Sequence, residues 1–421
     1  MYFGMPYSLL IPYLFSSPVP STTAVMGSKY GAQGTQTAAM NKIDRLEAGA
    51  MDAKLKVLVT TALDNLRQGV SICQDGQQEC EVLPTRYNTS NLLLLVTLDG
   101  QRFVAKIAHL HGHFGERLKQ EINWYKRISS QDRNILRHCP KFIGSFCFHE
   151  NLILILEYIP DSLTIRDALM SGQLLPRDAI ELIKRILTLF ELRIGSYSEL
   201  EERLLFRSIH KRSEARTQLL RKVLTSNPAT ADYWDRPISV NGCPSVSLAG
   251  IRGWLEQVTP QLIHPKVGII GKSHGDLHLE NILLQGDEHF YLIDPNAGVG
   301  PIPVYDLGKL AHSIYGLYDL IHSRNMSLSC PGPSEMHLTF MSEPYSLYQE
   351  LAWRFTLLLR RMAENEGSLL DLYTQVRLMC LVHFLCLLPH HYQDNYIFFA
   401  LMARTIELFH ETKAELARVV R

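Results

Sequence analysis

The stretch Lys272-Ser-His-Gly-Asp-Leu-His-Leu-Glu-Asn-Ile-Leu-Leu284, followed by Phe290-Tyr-Leu-Ile-Asp-Pro295, decides how the rest of the chain is read. It begins as a loop dense in polar side chains. Ile282, Leu283 and Leu284 then form an apolar run, Gly286 and Asp287 supply a turn, and Phe290 to Ile293 form a return strand. Such a hairpin brings Asp294 back beside Asn281 and Asp276. Two carboxylates and an amide oxygen gathered at one hairpin end are hard oxygen donors, suited to Mg²⁺. Magnesium held in this way usually takes nucleotide phosphates as further ligands.

His274-Gly275-Asp276, then Asn281, then the pair Ile293-Asp294 resemble the catalytic core of the aminoglycoside phosphotransferase family. Its pattern is H-G-D-x-x-x-x-N followed by I-D, and all of it is present. That family is the small-molecule branch of the protein-kinase-like fold. The resemblance implies an α+β, bilobal molecule, with a small antiparallel-sheet N-lobe and a larger, mostly helical C-lobe. It also implies Mg²⁺ and ATP, with GTP the other candidate nucleotide. Asp276 takes the role of catalytic base, Asn281 and Asp294 those of metal ligands, and His274 a supporting place. Kinases distribute the same roles over an Asp, an Asn and a later Asp.

A chain of 421 residues has room for a two-lobed domain or two domains. Its 46% apolar and 20% charged content is that of a globular protein. Basic and acidic residues balance at 42 each, which removes the electrostatic case for nucleic acid or an anionic membrane as main partner. The eight cysteines form no C-x-x-C pair, so neither a zinc site nor a disulfide framework is expected, and reduced thiols in a cytoplasm fit best. Residues 1–20 are apolar, yet no Lys or Arg precedes Lys29, and Pro6 and Pro12 bracket only five residues. That is neither a signal peptide nor a membrane span. The first forty residues read as a poorly ordered extension, with Met26 or Met40 as alternative starts.

From Asn41 to about Gln68 apolar residues recur at helical steps, and Gly69 to Glu81 reads as a polar loop. Asn91 to Leu98 and Arg102 to Ala108 read as strands turned by Asp99-Gly100. In the second of these, Lys106 is a lone charge on an apolar face, and unpaired burial of a charge costs several kcal/mol. Phe114 to Ser129 reads as a helix whose inward face, Leu118, Ile122 and Tyr125, also carries Glu121. A strand Val-Ala-Lys followed by an inward helical Glu matches the kinase pairing of a phosphate-contacting lysine with its glutamate. A second hairpin, Phe142 to His149 and Leu152 to Tyr158, ends at Pro160. By resemblance, Glu157 to Pro160 is the hinge, where backbone groups, those of Glu157 and Ile159 among them, would hold the adenine ring. Kinases cover the phosphates with a Gly-rich loop, but Thr85 to Asn91 here lacks glycine. Its small polar residues, Asn91 among them, are the candidate phosphate contacts, while Arg86 reads as a solvated loop arginine ahead of a phosphate contact.

These signals divide the chain into an N-lobe over 41–160 and a helical C-lobe over 161–421 holding the catalytic loop and the acceptor site. Thr164 and Asp167 mark a capped helix start. Tyr197 to Val223 is charged and helical, either a solvated face or a site for an anionic sugar. Asn227 to Gly253, rich in Pro, Ser and Gly, reads as a long loop, and by resemblance the whole stretch between hinge and catalytic loop carries much of the acceptor specificity. Asp306 resembles a second acid that orders the catalytic loop in family members; it also reads as a first-turn Asp favoured by the helix dipole. The run Tyr305-Asp-Leu-Gly-Lys-Leu-Ala-His-Ser313 resembles phosphotransferases from bacterial surface-polysaccharide clusters. Leu347 to Ala363, Leu369 to Leu388 and Tyr396 to Val420 read as helices, with the apolar run Leu378 to Leu388 too short for a membrane span and ending at Pro389. His390, His391 and Asp394 read as a helix–helix turn rather than a metal site. The implied activity is transfer of a nucleotide γ-phosphoryl group to a small-molecule hydroxyl, on a sugar or sugar-derived alcohol. The alternatives are an aminoglycoside, choline or ethanolamine as acceptor, or an inactive nucleotide-binding scaffold.

Overall fold

A computed structural model describes residues 78–419, apart from 84–91, 99–100, 149, 229, 264–266, 287–288 and 365–368. The expected N-terminal extension, the helix over 41–68, the loop with Arg86 and Asn91, and the Asp99-Gly100 turn all lie outside the described residues. Two compact units are present. One contains the described residues up to Ser162 together with Leu283–Gly298; the other contains Leu163–Ile282 and Val299 onward.

The first unit is built on an antiparallel sheet of β1 (Gln78–Val82), β2 (Leu92–Leu98), β3 (Gln101–His109), β4 (Phe142–Phe148) and β5 (Asn151–Glu157), in the order β1-β2-β3-β5-β4. β1 corrects the reading of this stretch as a loop. Its sequence, Gln-Glu-Cys-Glu-Val, is only five residues long and has just Cys80 and Val82 as apolar positions, too few to announce a strand; it pairs as a sheet edge with Leu94–Leu98. Leu152 to Leu156 are all buried, as a central strand requires. The helix His113–Gln131 packs on β3 and β5 through Leu118, Ile122, Tyr125 and Ile128. Asp132 ends that helix and caps the next short one, accepting from the amides of Asn134 and Ile135.

The expected hairpin forms from Ile282–Gln285 and His289–Leu292, with Gly286 in the turn at φ 62°. His138 holds its return strand to the first unit. Its ring stacks on Phe290 at 4.1 Å, and its carbonyl accepts the Leu292 N–H at 2.7 Å.

In the second unit the helix Leu369–His391 is the hub. The helices Arg212–Thr225, Pro303–Ile314, Ser342–Glu364 and Asn395–Val419 pack around it. Leu372–His391 is long and apolar enough to cross a membrane, but 83% of it is buried in the protein, as in a core helix. Contrary to expectation the helix does not stop at Pro389, which sits inside its last turn.

Met326–Gly332 and Glu335–Phe340, a stretch to which the sequence reading assigns no element, form an antiparallel hairpin joined in parallel by Ser239–Val240. Met326, Leu328, Met336 and Leu338 point inward while Ser327, Ser329, Glu335 and His337 are exposed, the period-two alternation of a half-buried strand. The helix Leu248–Ile263 begins inside the stretch read as a long loop, where the Ser247 hydroxyl accepts the Gly250 N–H and Ile251 and Leu255 are buried.

Candidate active site

In the second unit, the helix Pro303–Ile314 has proline in its first turn and every residue buried. Asp306 reaches from it into the loop 273–277. One carboxylate oxygen accepts the Ser273 hydroxyl at 2.8 Å and the His274 N–H at 2.6 Å; the other accepts the N–H groups of Gly275 at 2.8 Å and Leu277 at 3.3 Å. Burial pushes the Asp306 carboxyl up to about 6, and these four hydrogen bonds hold it from rising further. Gly275 sits at φ 83°, a left-handed conformation that explains a glycine between His274 and Asp276.

The grip on the backbone fixes two side chains. Asn281 donates its amide N–H to the Asp276 carbonyl at 2.8 Å, which leaves the amide oxygen as its ligand atom. Asp276 Oδ1 lies 2.9 Å from Lys309 Nζ, and both side chains are nearly buried. Next to Asn281, Glu280 accepts from Arg166 Nη1 at 2.7 Å in a buried pair. Thr164 caps the short helix bearing Arg166, accepting the Asp167 N–H. The imidazoles of His312 and His383 lie in the same cluster. Burial, and then Lys309, hold both well below the ordinary histidine value, so both are neutral.

The first unit holds the other predicted residues. Lys106 lies on β3 between Leu93 and Leu154 and is 6% exposed. Its ammonium is 2.6 Å from Glu121 Oε1 and also contacts the carboxylate of Asp294. Asp294 adopts φ 58°, a left-handed conformation that aspartate tolerates better than most residues. Glu157 is exposed and accepts the Lys141 N–H, while Ile159 is buried and its carbonyl accepts the Ser162 hydroxyl. Thus Lys106, Glu121 and Asp294 meet in one unit, and His274, Asp276, Asn281 and Asp306 meet in the other. Asn91 lies outside the described residues. The Asn281 amide oxygen and the Asp294 carboxylate have the chemistry Mg²⁺ prefers.

Four participants escape a reading of sequence alone. Lys309 could have been found as the one charged residue after Asp306 on an otherwise apolar helix, three positions on and therefore on the same face. Arg166 and Glu280 pair across 114 positions, with no local signal. Arg212 stacks over the Tyr305 ring at 5.1 Å, just after a π-helical turn at Arg207–Lys211 that its charged sequence does not announce.

The sequence pattern of the APH phosphotransferase enzyme family matches residues 83–320, more than half of the chain. The protein belongs to that family and is a small-molecule phosphotransferase. No curated protein matches it in sequence. Among solved structures, it is similar to a protein of Haemophilus somnus 129PT assigned as a fructosamine-3-kinase (12% identity, 83% of this chain and 95% of that one, TM-score 0.45). It is also similar to a protein of Ralstonia eutropha JMP134 assigned as an aminoglycoside phosphotransferase (10% identity, 84% and 98%, TM-score 0.44). A third is spectinomycin phosphotransferase APH(9)-Ia with ADP and spectinomycin (11% identity, 84% and 98%, TM-score 0.41).

Proposed function

We propose that the protein transfers the γ-phosphoryl group of ATP, with Mg²⁺, to a hydroxyl of a small molecule. The observation that carries this reading is the loop held by Asp306, which presents Asp276 and Asn281 from one rigid turn. The acceptor oxygen forms a bond to the γ-phosphorus, the bond from that phosphorus to the ADP oxygen breaks, and the hydroxyl proton passes to Asp276. Asn281 and Asp294 would hold Mg²⁺, which supplies charge neutralisation on the phosphates. Lys106, oriented by Glu121, contacts the phosphates, and the backbone at 157–160 takes the base. The nucleotide side is then the N-lobe over 41–160, and the acceptor site lies in 161–421. Little covalent work falls to the protein, so positioning and electrostatics account for the rate. A sugar or sugar-derived alcohol is the acceptor we favour, ahead of an aminoglycoside, choline or ethanolamine. The described cysteines are unpaired thiols, which fits a reducing cytoplasm.

Calorimetric titration with ATP and with GTP, each with Mg²⁺, tests nucleotide use; acceptor-free ATP hydrolysis tests chemistry. Asp276→Asn should leave MgATP binding near normal and slow turnover by ~10²–10⁴-fold. ATP binding without any hydrolysis would favour the inactive scaffold, and unchanged turnover in the variant would remove Asp276 from the mechanism. A coupled ADP assay over sugars and amino alcohols then identifies the acceptor.

A further inference from the structure

We propose that Lys309 is a positioning residue for phosphoryl transfer, acting on Asp276 from the helix behind the catalytic loop. The proposal rests on the phosphotransferase reading above and extends it to a residue outside the H-G-D-x-x-x-x-N pattern.

Lys309 Nζ lies 2.9 Å from Asp276 Oδ1, with side-chain exposures of 11% and 8%. Its helix neighbours Leu307, Gly308, Leu310 and Ala311 are all buried. An ammonium in that setting loses most of its hydration, and an apolar residue would pack there at lower desolvation cost. The charge is therefore explained by what it does for Asp276. Asp306 and Lys309, three residues apart, share one helix face. Asp306 fixes the backbone of 273–277, and Lys309 fixes the direction of the Asp276 carboxylate. One face of one helix thus sets both the loop and its reactive side chain.

The chemistry gives the pair a second purpose. A carboxylate that must face a triphosphate is repelled by it, and charge accumulates on the phosphoryl oxygens during transfer. An ammonium in contact with that carboxylate neutralises it and lowers the repulsion.

The test uses the full chain, acceptor-free MgATP hydrolysis as the rate, calorimetry for MgATP affinity and thermal melting for folding. Lys309→Met is expected to lower the hydrolysis kcat by ~30–300-fold, measured at a temperature where melting shows the variant still folded, with MgATP affinity within about threefold of wild type. Lys309→Arg, which keeps the charge, should retain a tenth or more of the rate. Should the Met variant fold poorly, Lys309→Gln against Lys309→Arg gives the same contrast of charge at similar polarity. A wild-type rate in the Met or Gln variant, or a loss that tracks Tm or MgATP affinity in place of charge, overturns the proposal. If those variants keep the wild-type rate while Asp276→Asn loses it, Lys309 alone is misassigned. If the wild-type chain neither binds nor hydrolyses MgATP, the phosphotransferase reading fails and takes this one with it.

Discussion

At Asp306, burial and hydrogen bonding pull in opposite directions. Burial disfavours the charged form, while four donors from the catalytic loop favour it, and the balance leaves the carboxyl near 6. Its folded value lies above the ordinary 3.8, so the stability it contributes is present below about pH 4 and is lost as pH rises through 6. Function runs the other way. Protonation turns an acceptor-only carboxylate into a group that also donates, and the loop amides lose part of their anchor. Hydrolysis of MgATP should therefore fall as pH drops below about 6, and Asp306→Asn should slow turnover and erase that acid limb; a pH–rate profile of both proteins decides it. Asp276, Asn281 and Asp294 stand out in sequence because spaced acids and an amide on a polar loop are unusual. Lys309 does not, because its meaning depends on a partner 33 positions earlier that only the folded loop brings within 2.9 Å.

Periodicity tells elements apart only when one of their faces is buried. The helix His113–Gln131 is legible because Leu118, Ile122 and Tyr125 recur at four- and three-residue steps and all three are buried. Leu118 is fully buried, so Leu118→Ala should destabilise the protein by about 2–5 kcal/mol, read by chemical denaturation, because the cavity left under the sheet cannot close completely. β1 is illegible for the opposite reason: its ladder consists of main-chain bonds to β2, to which side chains contribute little. The Met326–Phe340 region carries a clear alternation, but only over a few residues on either side of Pro331-Gly-Pro333, too short a run for periodicity alone to assign. The start of the helix at Leu248 is hidden by the Pro-, Ser- and Gly-rich composition that precedes it.

Across the molecule, the second unit buries a chain of imidazoles. His312 packs against Tyr318 at 4.2 Å, Tyr318 against His322 at 4.2 Å, and His322 against His391 at 4.6 Å. Burial lowers His322 to about 2 and His391 to about 4, and holds His312 and His383 well below 6.5. A depressed histidine contributes stability that is present above about pH 6.5 and is lost as pH falls, since the unfolded chain binds protons that the folded one refuses. Asp306 at about 6 and Asp319 at about 7 act with the opposite sign. Four histidines outweigh two carboxyls, so stability should drop between pH 6.5 and 5.5 by roughly 1–3 kcal/mol; denaturant melts at the two values measure it.

The C-terminal helix carries one further consequence. Arg404 is buried and donates to Glu407 at 2.9 Å and Glu411 at 2.7 Å, while Arg377 on the hub helix reaches the same Glu411 at 2.5 Å. A chain cut after residue 410 would strand both guanidinium groups near the hub with a single carboxylate between them, a loss that overshadows the apolar contacts removed. Such a truncation should melt lower or come out insoluble, whereas an appended tag beyond the last turn should be harmless. Glu411 thus marks how far the polypeptide can be trimmed from its end.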